Sequence, residues 1–219
     1  MDGYLKFFED FSIDIEALLN WGIENIIFPD VKKVGDAWTN LKERIKNNNT
    51  VYIRGYGRNG HGTIMYQGFY EFLLGHTNVK QDPTNNHKPK QNIEKLTELK
   101  RNKHIFNYQV SHIFGCTKNI FLFEAPWNIC YVPKFMDPFT GHEAKGEYIA
   151  NFQKRLFETA YKRYENIITE YNQTINELLI TEKIEEYAKT LKREFSDHAI
   201  SQFVLDCKRE FNPIWLEKK

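Results

Sequence analysis

YQVSHIFGCTKNIFLFEAPWNICYVPKFMDPFTGHEAKG, residues 108–146, is the stretch on which the fold turns. NYQVSHIFG, residues 107–115, alternates polar and apolar side chains as a strand does, and NICYVP, residues 128–133, reads as a second strand. A loop region runs between them through Trp127, with a short strand predicted at Ile120–Phe123. After Asp137-Pro138 the apolar positions take up a helical period, and a proline near a first turn suits a helix start. The spacing predicts helical structure over residues 143–177, in one piece or in two. His112 then ends one strand, Asn128 opens the return strand sixteen residues on, and His142 stands fourteen residues further, where the helix begins.

That order of groups suits hydrolysis of a phosphodiester. A divalent cation polarises the scissile phosphate and steadies the leaving oxygen. An imidazole can take a proton from the attacking water near neutral pH. A hairpin packed on a helix would hold both within a few ångströms of one another. Blander roles compete: His112 as a satisfied core histidine, Asn128 as a turn residue, and His142 as a helix-start residue. Asn119 competes with Asn128 as the central asparagine, but the residues after Asn128 read as a strand.

The stretch resembles the HNH, or ββα-metal, nuclease motif, and the resemblance covers residues 108–146 of the 219. It implies that His112 in VSHIFG is the general base, that Asn128 in WNICYV braces the loop or touches the metal, and that His142 in TGHEAKG ligates the metal. Lys145 sits where the family often has a basic residue near the phosphate. Mg²⁺, or Mn²⁺ or another divalent cation, is the implied cofactor. Two departures stand out. Many members carry an Asp just before the first His, where this chain has Ser111, so Asp137 or Glu143 would have to supply the missing oxygen. The cysteine pairs that often brace the motif are also absent, which leaves Phe114, Phe121, Phe123 and Trp127 to do that work by packing. More loosely, the layout resembles small HNH restriction endonucleases.

Outward from this core the sequence is mainly helical. Residues 11–28 place Ile13, Ile15, Leu18, Leu19, Ile23 and Ile26 at helical spacing, and a second helix is predicted from Asp36 to Lys46, ended by Asn47–Asn49. Val51–Ile53 reads as a short strand and residues 62–75 as a helix with an aromatic face, whose Tyr66, Phe69, Tyr70 and Phe72 fit core packing. Residues 90–101, 181–194 and 196–211 read as further helices. The intervening segment IRGYGRNGHGT lacks the GK[ST] ending of a P-loop, which disfavours nucleotide hydrolysis. Its glycines would let a backbone approach a ligand, so Arg54, Arg58, Asn59 and His61 become candidate contacts to phosphates or base edges. Residues 76–90 form a long polar loop with two prolines that gathers His76, Lys80, Asn85, Asn86, His87, Lys88 and Lys90. It is the second candidate DNA contact.

Composition bounds these readings. With 219 residues and 41% hydrophobic content the chain can bury one sizeable core. The expected layout is an N-terminal helical region with basic loops (1–104), the ββα-metal core (105–165) and supporting helices (166–219), within one compact domain. Net charge is only +1, but residues 1–30 carry a net of −6 and residues 31–110 a net of +8, a basic middle beside the candidate site. No apolar run approaches the roughly 18 residues of a membrane span. The opening MDGYLKFFEDF lacks a secretory pattern, and Cys116, Cys130 and Cys207 form no CxxC pair, so a soluble cytoplasmic protein with reduced thiols is expected.

The expectation is therefore an α+β protein, a predominantly helical body around a small ββα-metal core. Its expected function is metal-dependent cleavage of double-stranded DNA in a restriction-type role, with no nucleotide cofactor and compatible with a homodimer. The alternative is a non-catalytic nucleic-acid-binding or regulatory protein with a degenerate motif, which Ser111 favours.

Overall fold

The computed structural model describes residues 1–55, 61–141 and 144–216, with His61 described in its backbone alone. Four helices begin where a short polar side chain takes up the N–H groups that a first turn leaves unpaired. Asp2 caps α1 (Gly3–Asp10), Asp14 caps α2 (Ile15–Glu24), Asp30 caps α3 (Val31–Lys46) and Ser196 caps the last helix. These caps correct the sequence reading. The helix predicted over 11–28 is confined to Ile15–Glu24, α3 starts before Asp36, and α1 was not foreseen.

Strand β1 (Val51–Ile53) leads through the glycine-rich segment to α4 (His61–Leu74) and then to β2 (Val79–Gln81). β2 lies inside the segment expected to be loop. It pairs parallel to β1 in the register Val51↔Val79 and Ile53↔Gln81. Helix α5 (His87–Thr97) starts earlier than predicted, with Pro89 in its first turn, where a missing N–H costs nothing. The carboxylate of Asp82, fully buried, accepts from the backbone N–H groups of Thr84, His87 and Lys88 and so fixes the turn into α5.

The central hairpin joins β3 (Tyr108–His112) to β4 (Ile129–Pro133), antiparallel, in the register Ser111↔Cys130 and His112↔Ile129. A 3-10 helix (Lys134–Thr140) follows, then α6 (Glu147–Glu177), a single helix bent at Tyr164, where φ is −121° and ψ is 22°. Helices α7 (Ile180–Thr190) and α8 (Asp197–Glu210) complete the chain. The strand predicted at Ile120–Phe123 is instead a series of turns, with Leu122 and Phe123 N–H groups both donating to the Asn119 carbonyl. The fold is α+β and mostly helical.

Two larger apolar clusters and a third, of Ile93, Val110, Ile129 and Tyr131 between α5 and the hairpin, hold these elements among the described residues. In the largest, Val34, Trp38, Leu41 and Ile45 of α3 pack with Tyr66, Phe69 and Tyr70 of α4, with Trp127, and with Tyr171, Ile184 and Phe203 of α6–α8. The aromatic face of α4 is therefore core, except Phe72, which is 41% exposed. Each such side chain contributes about 1.5–3 kcal/mol by burial. In the second cluster, Cys130 and Val132 of β4 meet Met136 and Phe139 of the 3-10 helix and Tyr148, Ile149 and Phe152 of α6. The first half of α6 is thus packed on one face of the hairpin, leaving β3 at the edge of a cleft. No helix among the described residues is long and apolar enough to cross a membrane.

Candidate active site

A cleft of about 1320 Å³ opens beside β3. Its floor carries Ser111 and His112 from the end of β3, with Asp137 and Thr140 from the 3-10 helix; Arg54 and Asn86 line it from two loops, and α8 forms a further wall. His112 is half-buried, its ring against that of Phe123 with centroids 5.5 Å apart. Its Nε2 lies 3.0 Å from the carbonyl oxygen of Phe123. A carbonyl can only accept, so Nε2 carries the hydrogen and Nδ1 keeps its lone pair. Nδ1 has no hydrogen-bond partner among the described residues. Burial pushes the imidazole down to about 4; the Phe123 carbonyl opposes this, Arg54 adds to it, and Asp82 opposes it weakly. His112 is therefore neutral at neutral pH, with a basic nitrogen to offer.

The loop that supplies the Phe123 carbonyl is built around Asn128. Fully buried, this amide donates to the Gly115 and Leu122 carbonyls at 3.1 and 3.0 Å and accepts from the Phe114 N–H at 2.8 Å. Both of its hydrogens and one lone pair are spent on backbone, and it does not line the cleft. Of the two roles the resemblance allowed, these bonds are those of a brace. Asn119 braces the same loop further along, donating to the Tyr171 hydroxyl and the Glu210 carbonyl and accepting from Phe121 N–H.

Both loops expected to contact DNA reach the cleft, one through Arg54 and Gly55 and the other through Asn86. Arg54 is exposed, its backbone N–H bonded to the Thr117 carbonyl, and its guanidinium makes no ion pair among the described residues. The next N–H, of Gly55, donates to Asn85 Oδ1 at 2.9 Å, so the two loops are tied together. Gly55 also lies against Gln81, and a Cβ there would fall 1.8 Å from its amide nitrogen. Asn85 holds a left-handed backbone (φ 61°), and Asn86 beside it begins α5 at the cleft edge.

The other predicted residues are placed differently. Lys88 lies over the Tyr52 ring at 4.9 Å and faces a second groove on the far side of α5, where Lys33, Lys95 and Arg44 also sit. Lys90 is exposed and 3.8 Å from Glu94, and Lys80 is exposed on β2. Lys145 is exposed just ahead of α6 and does not line the cleft. Arg58, Asn59, His142, Glu143 and the His61 side chain lie outside the described residues. His76 is buried.

Sequence reasoning missed the α8 wall. Gln202, Leu205, Asp206 and Arg209 line the cleft opposite β3, and Lys118 pairs with Asp206, which also pairs with Arg209. Nothing in an amphipathic helix 90 residues from His112 signals that it shares a cleft with it. The role of the Phe123 carbonyl was equally unreadable, because any residue carries one. Cys116 also lines the cleft, but burial pushes its thiol up to about 12, which leaves it protonated and removes it as a nucleophile. Among the described residues no three His, Cys, Asp or Glu side chains cluster as a cation cage. The oxygen donors on the floor are the Asp137 carboxylate and the hydroxyls of Ser111 and Thr140, which lie 3.2 Å apart. One carboxylate with neighbouring hydroxyls fits Mg²⁺, which keeps several waters and takes substrate phosphate oxygens rather than a full protein cage.

The comparisons with known proteins agree over most of the chain. A family model described as "Uncharacterised protein PM1201" matches residues 29–216. A relative from Pasteurella multocida (strain Pm70), named Uncharacterized protein PM1201, is 42% identical over 216 residues, which span 97% of each chain. No solved structure matches. The chain belongs to the PM1201 family of uncharacterised proteins.

Proposed function

We propose that this protein is a metal-dependent endonuclease of the HNH type acting on double-stranded DNA, with the β3–β4 hairpin and the start of α6 as its ββα-metal core. The observation that carries this reading is the imidazole of His112, held by the Phe123 carbonyl with Nδ1 unpaired, in a cleft that Arg54 and the Asp137 carboxylate also line. Its Nδ1 takes a proton from water as the water oxygen bonds to phosphorus, and the bond from phosphorus to the 3′ oxygen breaks in line. The products are a 5′-phosphate and a 3′-hydroxyl, with the leaving oxygen taking a proton from solvent. Asp137 is the carboxylate for the cation, supported by the Ser111 and Thr140 hydroxyls in place of the family's Asp. When bound, the cation supplies positive charge at the scissile phosphate and the leaving oxygen. Arg54 orients the phosphate, and Asn86 contacts the flanking backbone.

Phosphate binding also changes His112. An anion beside Arg54 offsets the positive charge that helps depress the imidazole, so the base is stronger in the complex than in the free protein. A restriction-type role is the biological setting this reading favours. A second reading, a binding protein with a degenerate motif, draws support from Ser111 and from the missing three-ligand cluster among the described residues.

The test is cleavage of mixed-sequence duplex DNA with Mg²⁺ or Mn²⁺, with EDTA and His112→Ala as controls. Metal-dependent fragments lost in the variant support the endonuclease. A folded protein that binds duplex without cutting it supports the second reading, and cutting that survives His112→Ala means the base lies elsewhere.

A further inference from the structure

The loop between β3 and β4 does more than hold His112. The same segment that presents the Phe123 carbonyl to the imidazole is bonded to the C-terminal end of α8. Lys118 N–H donates to the Glu210 carboxylate at 2.8 Å, the Asn119 amide donates to the Glu210 carbonyl at 2.9 Å, and Lys118 pairs with Asp206. Glu210 and Asn119 are buried, and Tyr66 donates a further hydrogen bond to Asp206 at 3.2 Å. Helix α8 is therefore fixed relative to His112 by buried polar contacts, as a rigid reading element needs to be.

The face that α8 turns to the cleft is unlike its other side. Phe203 and Cys207 are buried in the core, whereas Gln202, Leu205 and Arg209, three and four residues apart, are exposed and line the cleft. The Gln202 amide makes no hydrogen bond among the described residues. Leu205 is 64% exposed, an isolated large apolar side chain between two polar ones. Arg209 pairs with Asp206 three residues before it on the helix and stays largely exposed at the cleft.

These three side-chain types match the edges of bases in a major groove. Arginine bonds bidentately to guanine, glutamine to adenine, and an apolar side chain meets the thymine methyl. We propose that α8 is the sequence-reading helix of this protein, with Gln202, Leu205 and Arg209 facing base edges in the major groove of a duplex whose backbone lies over His112. The inference rests on the endonuclease reading for the occupant of the cleft. The groove is wide enough to admit a helix, and the exposed polar face of α8 shares one continuous cleft with the proposed phosphate site.

The experiment incubates the full-length protein, without divalent metal, with a pool of duplexes randomised over a central segment. Bound duplexes are recovered and sequenced for the wild type and for Gln202→Ala, Leu205→Ala and Arg209→Ala, with circular dichroism confirming the fold of each. The wild type is expected to enrich a defined motif. Each variant is expected to lose discrimination of about tenfold or more at one or two base pairs of it, with the rest of the motif kept. A motif that is unchanged in all three variants, or a wild type that binds without any motif, overturns the proposal. The two readings fail separately. Cleavage with an unchanged motif leaves the endonuclease and removes the role of α8, whereas a motif that depends on α8 in a protein that never cuts leaves the reading helix and removes the nuclease. Failure to bind duplex at all removes both.

Discussion

The imidazole of His112 and the backbone carbonyl of Phe123, eleven residues apart in sequence, meet at 3.0 Å. Through that bond the protein fixes which nitrogen of the ring is basic. His112→Ala is expected to lower metal-dependent cleavage on the order of 10² to 10⁴-fold. Duplex affinity should change by no more than a few fold, because the proposed function assigns the phosphate contacts to other residues. Single-turnover cleavage and a gel-shift titration of the same duplex separate the two effects, and an equal loss in both would place His112 in binding rather than in catalysis.

The pH dependence has a definite sign. On the endonuclease reading the base is the neutral imidazole, so cleavage at low substrate should fall only as pH drops through the imidazole's own value, about 4 in the free protein. Arg54 is one cause of that low value. Arg54→Ala should therefore raise it and move the acid limb to higher pH, together with a general loss of rate. Profiles of kcat/KM from pH 3.5 to 8 at constant ionic strength test this; a limb that stays put or moves down would separate Arg54 from the base.

Asn128→Ala is expected to destabilise the fold by about 2–4 kcal/mol. Three backbone groups, of Phe114, Gly115 and Leu122, would lose their partner inside the protein. Urea unfolding measures the loss. Because the braced loop also carries the Phe123 carbonyl, residual activity at low temperature should fall as well.

Glu124 makes a comparable prediction in a different part of the same loop. Its carboxylate, 3% exposed, accepts from Tyr52 N–H at 2.7 Å and from Arg44 at 2.8 Å, tying the loop to β1 and α3. Glu124→Ala leaves the partly buried Arg44 guanidinium with only the Thr50 carbonyl, and leaves a strand N–H unpaired. The cost should be about 3 kcal/mol, near the low end for a broken buried pair because Arg44 keeps some contact with water. A change below about 1 kcal/mol by urea unfolding would show that the loop does not depend on this tie.

Gly22 marks where α2 approaches the 3-10 helix and α6. A Cβ there would lie 2.6 Å from Met136 Cε and 2.8 Å from Phe152 Cε2. Gly22→Ala should cost about 1–3 kcal/mol despite the better helix propensity of alanine, because the methionine can yield but the ring is packed in the core. Thermal melting of the variant checks the sign.

The sequence by itself determined the elements whose signals are local. The alternation at Tyr108–His112, the apolar run Ile129–Pro133, and the helical periods of α3, α4 and α6 each follow from the spacing of neighbouring side chains. So did the position of His112 at a strand end and of Asn128 before the return strand. The starts of α2 and α3 shifted where capping carboxylates at Asp14 and Asp30 decided them, and β2 escaped notice because a three-residue strand is defined by its parallel partner rather than by its own pattern. Tertiary structure alone decided the rest. It brought Arg54, Asn86 and Asp137 into one cleft with His112 and left Lys145 outside, and it placed α8 across the cleft through Lys118 and Asn119. It also chose the bracing role for Asn128 and set the tautomer of His112 by a backbone carbonyl. Such relations arise from long-range packing, and a carbonyl that every residue shares acquires its meaning only from what the fold sets against it.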